Sequence, residues 1–168
     1  MKSLRKIILS LFVVMSVFTF AKGNSGSSIR FGSPRVGYIT VPTNWYEFGD
    51  PDASPTAKQV SIDNTNIITL DIVATNGRGT AKRAAEVIIQ KYINLGTPED
   101  NIFEGSVNIN GYEGEQVAIE YDDGSVLIMY YIEANGNIYY IAQEGEPEYQ
   151  KQLAKAINCL LYTSDAAD

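Results

Sequence analysis

Residues 103–143 have the sequence FEGSVNINGYEGEQVAIEYDDGSVLIMYYIEANGNIYYIAQ, in which turn sequences separate apolar runs. The turns are Asn110-Gly111, Asp122-Asp123-Gly124 and Asn135-Gly136. Asn-Gly adopts the positive φ angles of a tight hairpin, and a longer loop that ends in Gly suits a turn followed by a bulge. The stretch therefore predicts a meander of four consecutive antiparallel strands.

The turns also predict which side chains share a face of this meander. A two-residue turn at Asn110-Gly111 places Ile109 opposite Tyr112, and directly opposed residues lie on the same face of a sheet. Through the next two turns, one face collects Phe103, Val107, Ile109, Tyr112, Ala118, Ile128, Tyr130, Ile132, Tyr139 and Ile141. The other collects Val117, Ile119, Tyr121, Leu127, Met129, Tyr131, Tyr140 and Ala142. Both sets are apolar, so we expect both faces to be covered, which predicts an α+β protein of three layers around an antiparallel sheet.

Further strands are predicted before the meander. Residues 36–41 form a first strand that ends at Pro42. Residues 47–56 are rich in Pro, Asp and Gly and predict a loop. Residues 58–62 and 67–74 are apolar runs on either side of a polar turn, which predicts a hairpin.

Two amphipathic helices are predicted as the covering elements. The first begins after Thr80 as its N-cap and ends at Gly96. Its apolar positions are Ala81, Ala85, Ile88, Tyr92 and Leu95. The second begins with Pro147 at its first position. Its apolar face is formed by Tyr149, Leu153, Ala156 and Ile157.

The start of the chain indicates export. Residues 1–21 combine a basic start, an apolar run and a small-x-small ending, which predicts a cleaved export signal. A retained membrane anchor is the alternative, but the apolar run is shorter than the roughly 20 residues that span a bilayer. Residues 22–35 predict a flexible linker, and residues 36–158 predict a single domain.

The end of the chain is of a different kind. Residues 159–168, CLLYTSDAAD, resemble the in-frame translation of a transposase adapter used in short-read sequencing libraries. On this interpretation the segment is non-native, the natural C-terminus is missing and Cys159 is not a genuine cysteine. The alternative is an ordinary helix end followed by a polar tail.

The composition excludes several classes of function. The chain has a net charge of −7, and an acidic protein is poorly suited to bind duplex nucleic acid or an anionic membrane surface. It contains no His, and its single Cys is Cys159. A Ser-His-Asp triad, a His-ligated or thiolate metal site and a thiol nucleophile are therefore excluded. These features favour an exported protein without disulfides and without stable membrane insertion once its signal is cleaved.

The order of elements and several short sequences resemble the PsbP-like family. These sequences are VPTNW after the first strand, IITLDIVA before the helix, GYEGEQVAIEY and LIMYYIEANGNIYYIA in the meander, and PEYQKQLAKAI at the end. The one short motif is Val-Pro-x-x-Trp, formed by Val41, Pro42 and Trp45. The family includes the extrinsic subunit of the photosynthetic oxygen-evolving complex, and the resemblance implies an α-β-α sandwich that docks on partners, usually without catalysis. A cystatin-like or nuclear-transport-factor-like sheet wrapped on a helix is the alternative fold.

Glu104, Glu113 and Glu115 are the candidate metal ligands. The predicted pairing places all three on one face of the sheet, toward the Asn110-Gly111 turn. Carboxylates so placed can hold a hard cation such as Ca²⁺ or act as general acid and base. A solvated rim of the hairpin is the simpler interpretation.

Trp45, Tyr46, Tyr112, Tyr131 and Tyr139 are the candidate partner-binding residues. A tyrosine can bury its ring and keep its hydroxyl in water, so it serves both sheet packing and the recognition of a peptide or glycan. Separately, the Gly-Arg-Gly-Thr sequence at residues 77–80 could hold an anion on free backbone N–H groups, or could be a plain loop with an N-cap.

The sequence therefore predicts an exported, non-enzymatic binding or accessory domain that docks on a protein or cell-envelope partner and has no cofactor. The alternative is a carboxylate-dependent hydrolase or a calcium-binding module that uses Glu104, Glu113 and Glu115.

Overall fold

The computed structural model describes residues 26–162. The strands are β1 Ser28–Ser33, β2 Gly37–Pro42, β3 Tyr46–Phe48, β4 Lys58–Ser61, β5 Ile67–Ala74, β6 Ile102–Ile109, β7 Tyr112–Glu120, β8 Val126–Ala134 and β9 Asn137–Gly145. The helices are α1 Ala81–Asn94 and α2 Gln150–Ile157, and a 3-10 turn at Glu99–Asn101 leads into β6. Within this part of the chain, no helix is long and apolar enough to cross a membrane. The predicted export signal at residues 1–21 lies outside the described residues.

Seven strands form one antiparallel sheet in the order β3-β4-β5-β9-β8-β7-β6. The predicted meander is confirmed: its strands pair in sequence, and Ile109 lies opposite Tyr112. Asn110 and Asn135 occupy the two-residue turns with φ angles of 51° and 52°, a conformation that Asn tolerates better than most residues. The β4–β5 hairpin joins the meander because β5 pairs with β9.

Both faces of the sheet are covered, as the apolar patterning predicts. On one face, β1 and β2 form a separate two-stranded sheet, and α2 packs on β2 and β9. Helix α1 packs on β7 and β8 at the other face. The fold is therefore a three-layer α-β-α sandwich of the α+β class.

Each predicted set of face residues falls into one core. The first core, beneath β2 and α2, contains the set that begins with Phe103, with Phe103 and Tyr112 partly buried at its edge. The second core, beneath α1, contains the set that begins with Val117, with Tyr121 and Tyr140 partly buried. The register set by the turns is thus sufficient to assign every one of these side chains to its layer.

Helix α1 begins and ends as predicted. The Thr80 hydroxyl accepts a hydrogen bond from the backbone N–H of Arg83 at 3.1 Å. Gly96, just after the helix, has a φ of 93°. The expectation that Leu95 lies on the apolar face is wrong, since Leu95 is the C-cap beyond the last helical residue and is 70% exposed.

Strand β1 corrects the predicted linker. Residues 28–33, expected to be part of a flexible linker at residues 22–35, pair along their whole length with Gly37–Pro42. The Arg30 guanidinium also lies over the Tyr38 ring, 3.7 Å from its centroid. This pairing is a tertiary contact that the Gly- and Ser-rich composition of the preceding residues does not reveal.

Two other predicted boundaries are wrong. Tyr46–Phe48 forms a short edge strand against β4, whereas residues 47–56 were expected to be a loop. Helix α2 begins at Gln150 and not at Pro147. The backbone N–H of Tyr149 donates to the carbonyl of Glu146 at 3.1 Å, so the residues around Pro147 form a separate turn.

The described chain packs beyond the predicted boundary at residue 158. Tyr38 and Leu161 exchange two backbone hydrogen bonds of 2.9 Å. Leu160 is fully buried and Tyr162 is 6% exposed, so both complete the first core. The adapter origin of residues 159–168 stays a prediction, because packing does not report on how a gene was sequenced, and residues 163–168 lie outside the described residues.

A buried hydrogen-bond network ties α2 to the meander. The Tyr130 hydroxyl donates to Oε1 of Gln143 at 3.0 Å, and Nε2 of Gln143 donates to Oε1 of Gln150 at 2.6 Å. Nε2 of Gln150 donates to the carbonyls of Val126 and Gly145 at 3.2 and 3.0 Å. Because each amide is satisfied, these polar side chains hold the helix in place without the penalty of an unpaired buried group.

Candidate functional site

Burial removes three of the five predicted partner-binding residues from the surface. Trp45, Tyr131 and Tyr139 are 5%, 4% and 1% exposed. Tyr112 is half-buried, and Tyr46 is 42% exposed, with its hydroxyl donating to Oδ1 of Asn64 at 3.1 Å. The prediction is corrected for the three buried rings, because a sheet that is covered on both faces uses them as core.

The packing of Tyr112 and Tyr139 has a local explanation. The Tyr139 ring stacks on the Tyr162 ring with centroids 3.9 Å apart, and Tyr112 meets Tyr162 edge to face at 5.0 Å. The backbone N–H of Tyr162 donates to the Tyr112 hydroxyl at 3.2 Å. These two tyrosines therefore bind the C-terminal part of the described chain.

The three glutamates lie where the register places them, on the α1 face of β6 and β7. Glu113 accepts a hydrogen bond from Nδ2 of Asn108, and Glu115 accepts one from Oγ of Ser106 at 3.4 Å. Across residues 26–162, no group of three or more Asp, Glu, His or Cys is arranged to hold a metal ion. Glu104, Glu113 and Glu115 thus form an acidic row along the sheet, and calcium binding there stays a prediction.

The N-terminus of α1 is occupied by the protein's own carboxylate. Oε1 of Glu133 on β8 accepts a hydrogen bond from the backbone N–H of Ala81 at 2.7 Å, and the Thr80 hydroxyl takes the N–H of Arg83. A carboxylate at this position also stabilises the helix dipole. The loop at residues 77–80 therefore acts as a capping loop, and anion binding there stays a prediction.

The α1 face of the sheet extends beyond the helix. Helix α1 packs on β7 and β8, and the same face continues over β9 and β5. Tyr140 on β9 lies directly opposite Asp71 on β5, and Glu144 lies opposite Ile67. Tyr140 and Asp71 are half-buried and Glu144 is exposed, so this part of the face meets solvent.

Two more tyrosines border this open part of the face. Burial raises the pKa of Tyr121, and the neighbouring Tyr92 on α1 adds to the increase. Burial likewise raises the pKa of Tyr140, which lies 5.6 Å from Tyr131 between ring centroids. With their pKa values raised, the phenols of Tyr121 and Tyr140 are neutral at physiological pH. We call Asp71, Tyr92, Tyr121, Tyr140 and Glu144 the tyrosine–carboxylate strip.

Carboxylates give the strip a negative charge. Glu144 is exposed as a residue, but partial desolvation of its carboxyl raises its pKa above the ordinary value, and the Asp50 carboxylate on the loop before β4 adds to the increase. Asp71 accepts a hydrogen bond from the Thr56 hydroxyl of the same loop at 2.6 Å. Carboxylates beside tyrosine rings match a Lys or Arg side chain, which is attracted both by the charges and by the π faces.

Comparisons with known proteins bear on the fold. No family model matches the sequence, and no curated protein matches it. The solution structure of the cyanobacterial PsbP of Synechocystis aligns with a TM-score of 0.55 at 10% identity, over 88% of this chain and 99% of that chain. The chain has a PsbP-like fold. A protein of unknown function from Pseudomonas aeruginosa is also similar, with a TM-score of 0.39 at 14% identity over 82% of this chain and 99% of that chain.

The PsbP-like fold confirms the sequence resemblance and replaces the cystatin-like alternative. This likeness does not by itself locate a functional site, because a sequence identity of 10% to the Synechocystis protein supports the fold alone.

Sequence reasoning missed the strip, since β5 and β9 lie about 70 residues apart in the chain and no local turn connects them. The available signal was the odd polarity of Asp71 within IITLDIVA and of Glu144 after the apolar run of β9.

Proposed function

We propose that this PsbP-like domain is a non-catalytic accessory protein that is exported and binds a protein partner through the tyrosine–carboxylate strip. The observation that carries the proposal is the open part of the α1 face, where Asp71, Tyr140 and Glu144 meet solvent beside the helix. A covered face would place apolar residues here, as it does over β7 and β8.

The chemistry of the strip favours a cationic segment of the partner. The chain carries a net charge of −7, which speeds the approach of a basic partner at low salt. Half-buried tyrosines supply contact area at small entropic cost, and the carboxylates supply orientation.

Composition supports a role without catalysis. The chain contains no His, and its single Cys is Cys159. Residues 1–21 supply the export signal on this proposal, and export places the domain outside the cytoplasm, where a binding domain for an envelope or extracellular protein would act.

A titration followed by ¹⁵N NMR tests the proposal. The chain from residue 22 onward, which contains every described residue, is titrated with the flexible basic peptide Ac-Lys-Gly-Lys-Gly-Lys-NH2. We expect shift changes at Asp71, Tyr140 and Glu144, and an affinity reduced at least about fivefold by the double substitution Asp71→Asn and Glu144→Gln, the scale of one lost charge-assisted contact.

The matched control is Glu148→Gln, which removes an exposed carboxylate in the turn before α2. It should leave the affinity within about twofold, because an exposed charge away from the site acts weakly. Equal losses in the two variants, or equal binding of Ac-Glu-Gly-Glu-Gly-Glu-NH2, would show that the strip is not a binding site.

A further inference from the structure

Strand β6 is the end of the sheet opposite to the β3 edge, and among the described residues its outer edge is unpaired. It is eight residues long, Ile102–Ile109, and its strand neighbour in the sheet is β7 alone. Within residues 26–162, no other segment forms backbone hydrogen bonds with that outer edge. A long edge strand of this kind is a template for a further strand.

The turn at the end of β6 determines which backbone groups point outward. Asn110 and Gly111 have φ angles of 51° and 90°, as in a type I′ turn, so Ile109 and Tyr112 form a hydrogen-bonded pair. Hydrogen-bonded and non-bonded pairs alternate along an antiparallel ladder. The N–H and C=O groups of Glu104, Ser106 and Asn108 therefore point away from β7.

The usual protections of an edge strand are missing from β6. Its sequence, IFEGSVNI, contains no Pro, Lys or Arg, and its register with β7 runs without a bulge. Its one charge is Glu104. The opposite edge is different, since β3 is only three residues long and Glu47 on it is paired with Lys58 at 3.0 Å.

The two faces of the sheet at this edge define what an added strand must carry. On the α1 face it would meet the acidic row of Glu104, Glu113 and Glu115, of which Glu115 lies opposite Ser106. Adjacent strands are about 4.8 Å apart, so a Lys or Arg opposite Ser106 can reach the Glu115 carboxylate one strand further in. On the other face it would meet Phe103, half-buried, and Val107, 8% exposed.

We propose that β6 captures an extended segment of a partner protein as an eighth strand, with basic residues facing the acidic row and apolar residues facing Phe103 and Val107. Backbone hydrogen bonds to Glu104, Ser106 and Asn108 give affinity, and the alternating side chains give specificity. A second copy of this chain fits less well, because two β6 edges would bring six glutamates onto one face of a continuous sheet. This surface is separate from the carboxylates of the tyrosine–carboxylate strip, which lie on β5 and β9.

Amide hydrogen exchange tests the proposal directly. The chain from residue 22 onward is incubated with saturating Ac-Lys-Val-Lys-Val-Lys-Val-Lys-NH2, which has the required alternation. The amides of Glu104, Ser106 and Asn108 should exchange at least about tenfold more slowly than in the free protein, as expected when an open amide becomes hydrogen-bonded. Unchanged exchange at these three amides would overturn the proposal, as would equal protection by Ac-Glu-Val-Glu-Val-Glu-Val-Glu-NH2.

Two variants separate the backbone and charge contributions. Ser106→Pro removes an outward donor without removing a sheet hydrogen bond, and should weaken binding at least about tenfold. Glu104→Lys reverses a charge on the outer edge without a backbone change, and should also weaken binding. This variant tests the proposal even if Ser106→Pro fails to fold. The strip variant Asp71→Asn with Glu144→Gln should bind this peptide normally. Strand capture would be overturned if the strip variant alone lost peptide binding, or if the protein formed a dimer that Ser106→Pro dissociates. Either result would leave the proposed function to be tested separately by its own titration.

Discussion

Single polar side chains decide how the layers are joined. Asn66 is fully buried, and its Nδ2 donates to both carboxylate oxygens of Asp63 at 3.0 and 2.9 Å. Its Oδ1 accepts the backbone N–H of Glu146 at 3.0 Å, which connects the β4–β5 turn to the end of β9. The backbone N–H of Thr65 and, next, the Asn66 side chain lower the pKa of Asp63 to about 2. One amide thus holds together segments that are far apart in the chain.

Gly145 makes that approach possible. Its φ is 151°, and an added Cβ would lie 2.2 Å from Oδ1 of Asn66. We expect Gly145→Ala to reduce the free energy of unfolding by about 2–3 kcal/mol, from backbone strain and overpacking together. Urea denaturation measures the change. Gly49→Ala is the control, since nothing lies within 4 Å of its Cβ position. Equal stability of the two variants would contradict the close contact with Asn66.

At the scale of elements, the segment after α2 acts as part of the first core. Leu160 is fully buried, and its carbonyl accepts a hydrogen bond from Nδ2 of Asn110 at 2.7 Å. Leu161, the next residue, is 44% exposed and contributes its backbone to a bridge with Tyr38. The segment therefore covers the first core beside the β6–β7 turn, whether or not its residues are native.

This packing predicts unequal effects of two neighbouring substitutions. Leu160→Ala should cost about 2–5 kcal/mol of unfolding free energy, because it leaves a cavity in the core. Leu161→Ala should cost less than about 0.5 kcal/mol, since its side chain is largely in water. Thermal and urea unfolding of both variants provide the measurement. Similar small losses at both positions would mean that the segment does not pack as described.

Elements fixed by local chemistry were predictable, and elements fixed by distant pairing were not. The cap of α1 at Thr80 follows from its own hydroxyl. The second cap comes from Glu133, 52 positions after Ala81, whose N–H it accepts, and no sequence pattern connects the two. Strand β1 has little apolar periodicity and forms because β2 is beside it. The buried state of Trp45, Tyr131 and Tyr139 likewise depends on which layer covers each ring.

At the scale of the whole molecule, charge and topology separate two candidate binding surfaces. The carboxylates of the tyrosine–carboxylate strip lie on β5 and β9, and the acidic row lies on β6 and β7 at the far edge of the sheet. Both are acidic, in keeping with a net charge of −7. A partner with separate basic segments could engage both surfaces at once and gain affinity from the second contact.

Calcium provides a test of the competing carboxylate hypothesis. A cation that binds the native state raises the Tm by mass action. We expect millimolar Ca²⁺ to leave the Tm unchanged relative to an EDTA-treated sample, since no group of three or more ligating side chains is arranged for a metal ion within residues 26–162. A rise of several degrees that Glu113→Gln abolishes would instead support a calcium-binding module.

The sequence by itself determined the meander, its register and the side chains of its two faces. It could do so because Asn110-Gly111 and Asn135-Gly136 fix the pairing of neighbouring strands, and a two-residue side-chain period then assigns every face. The tertiary structure decided the strand order, the attachment of β5 to β9, the inclusion of β1 and the location of the open strip. These features depend on contacts between segments that no turn connects. The free energy that stabilises such contacts comes from burial and strand pairing across the whole fold and not from local sequence.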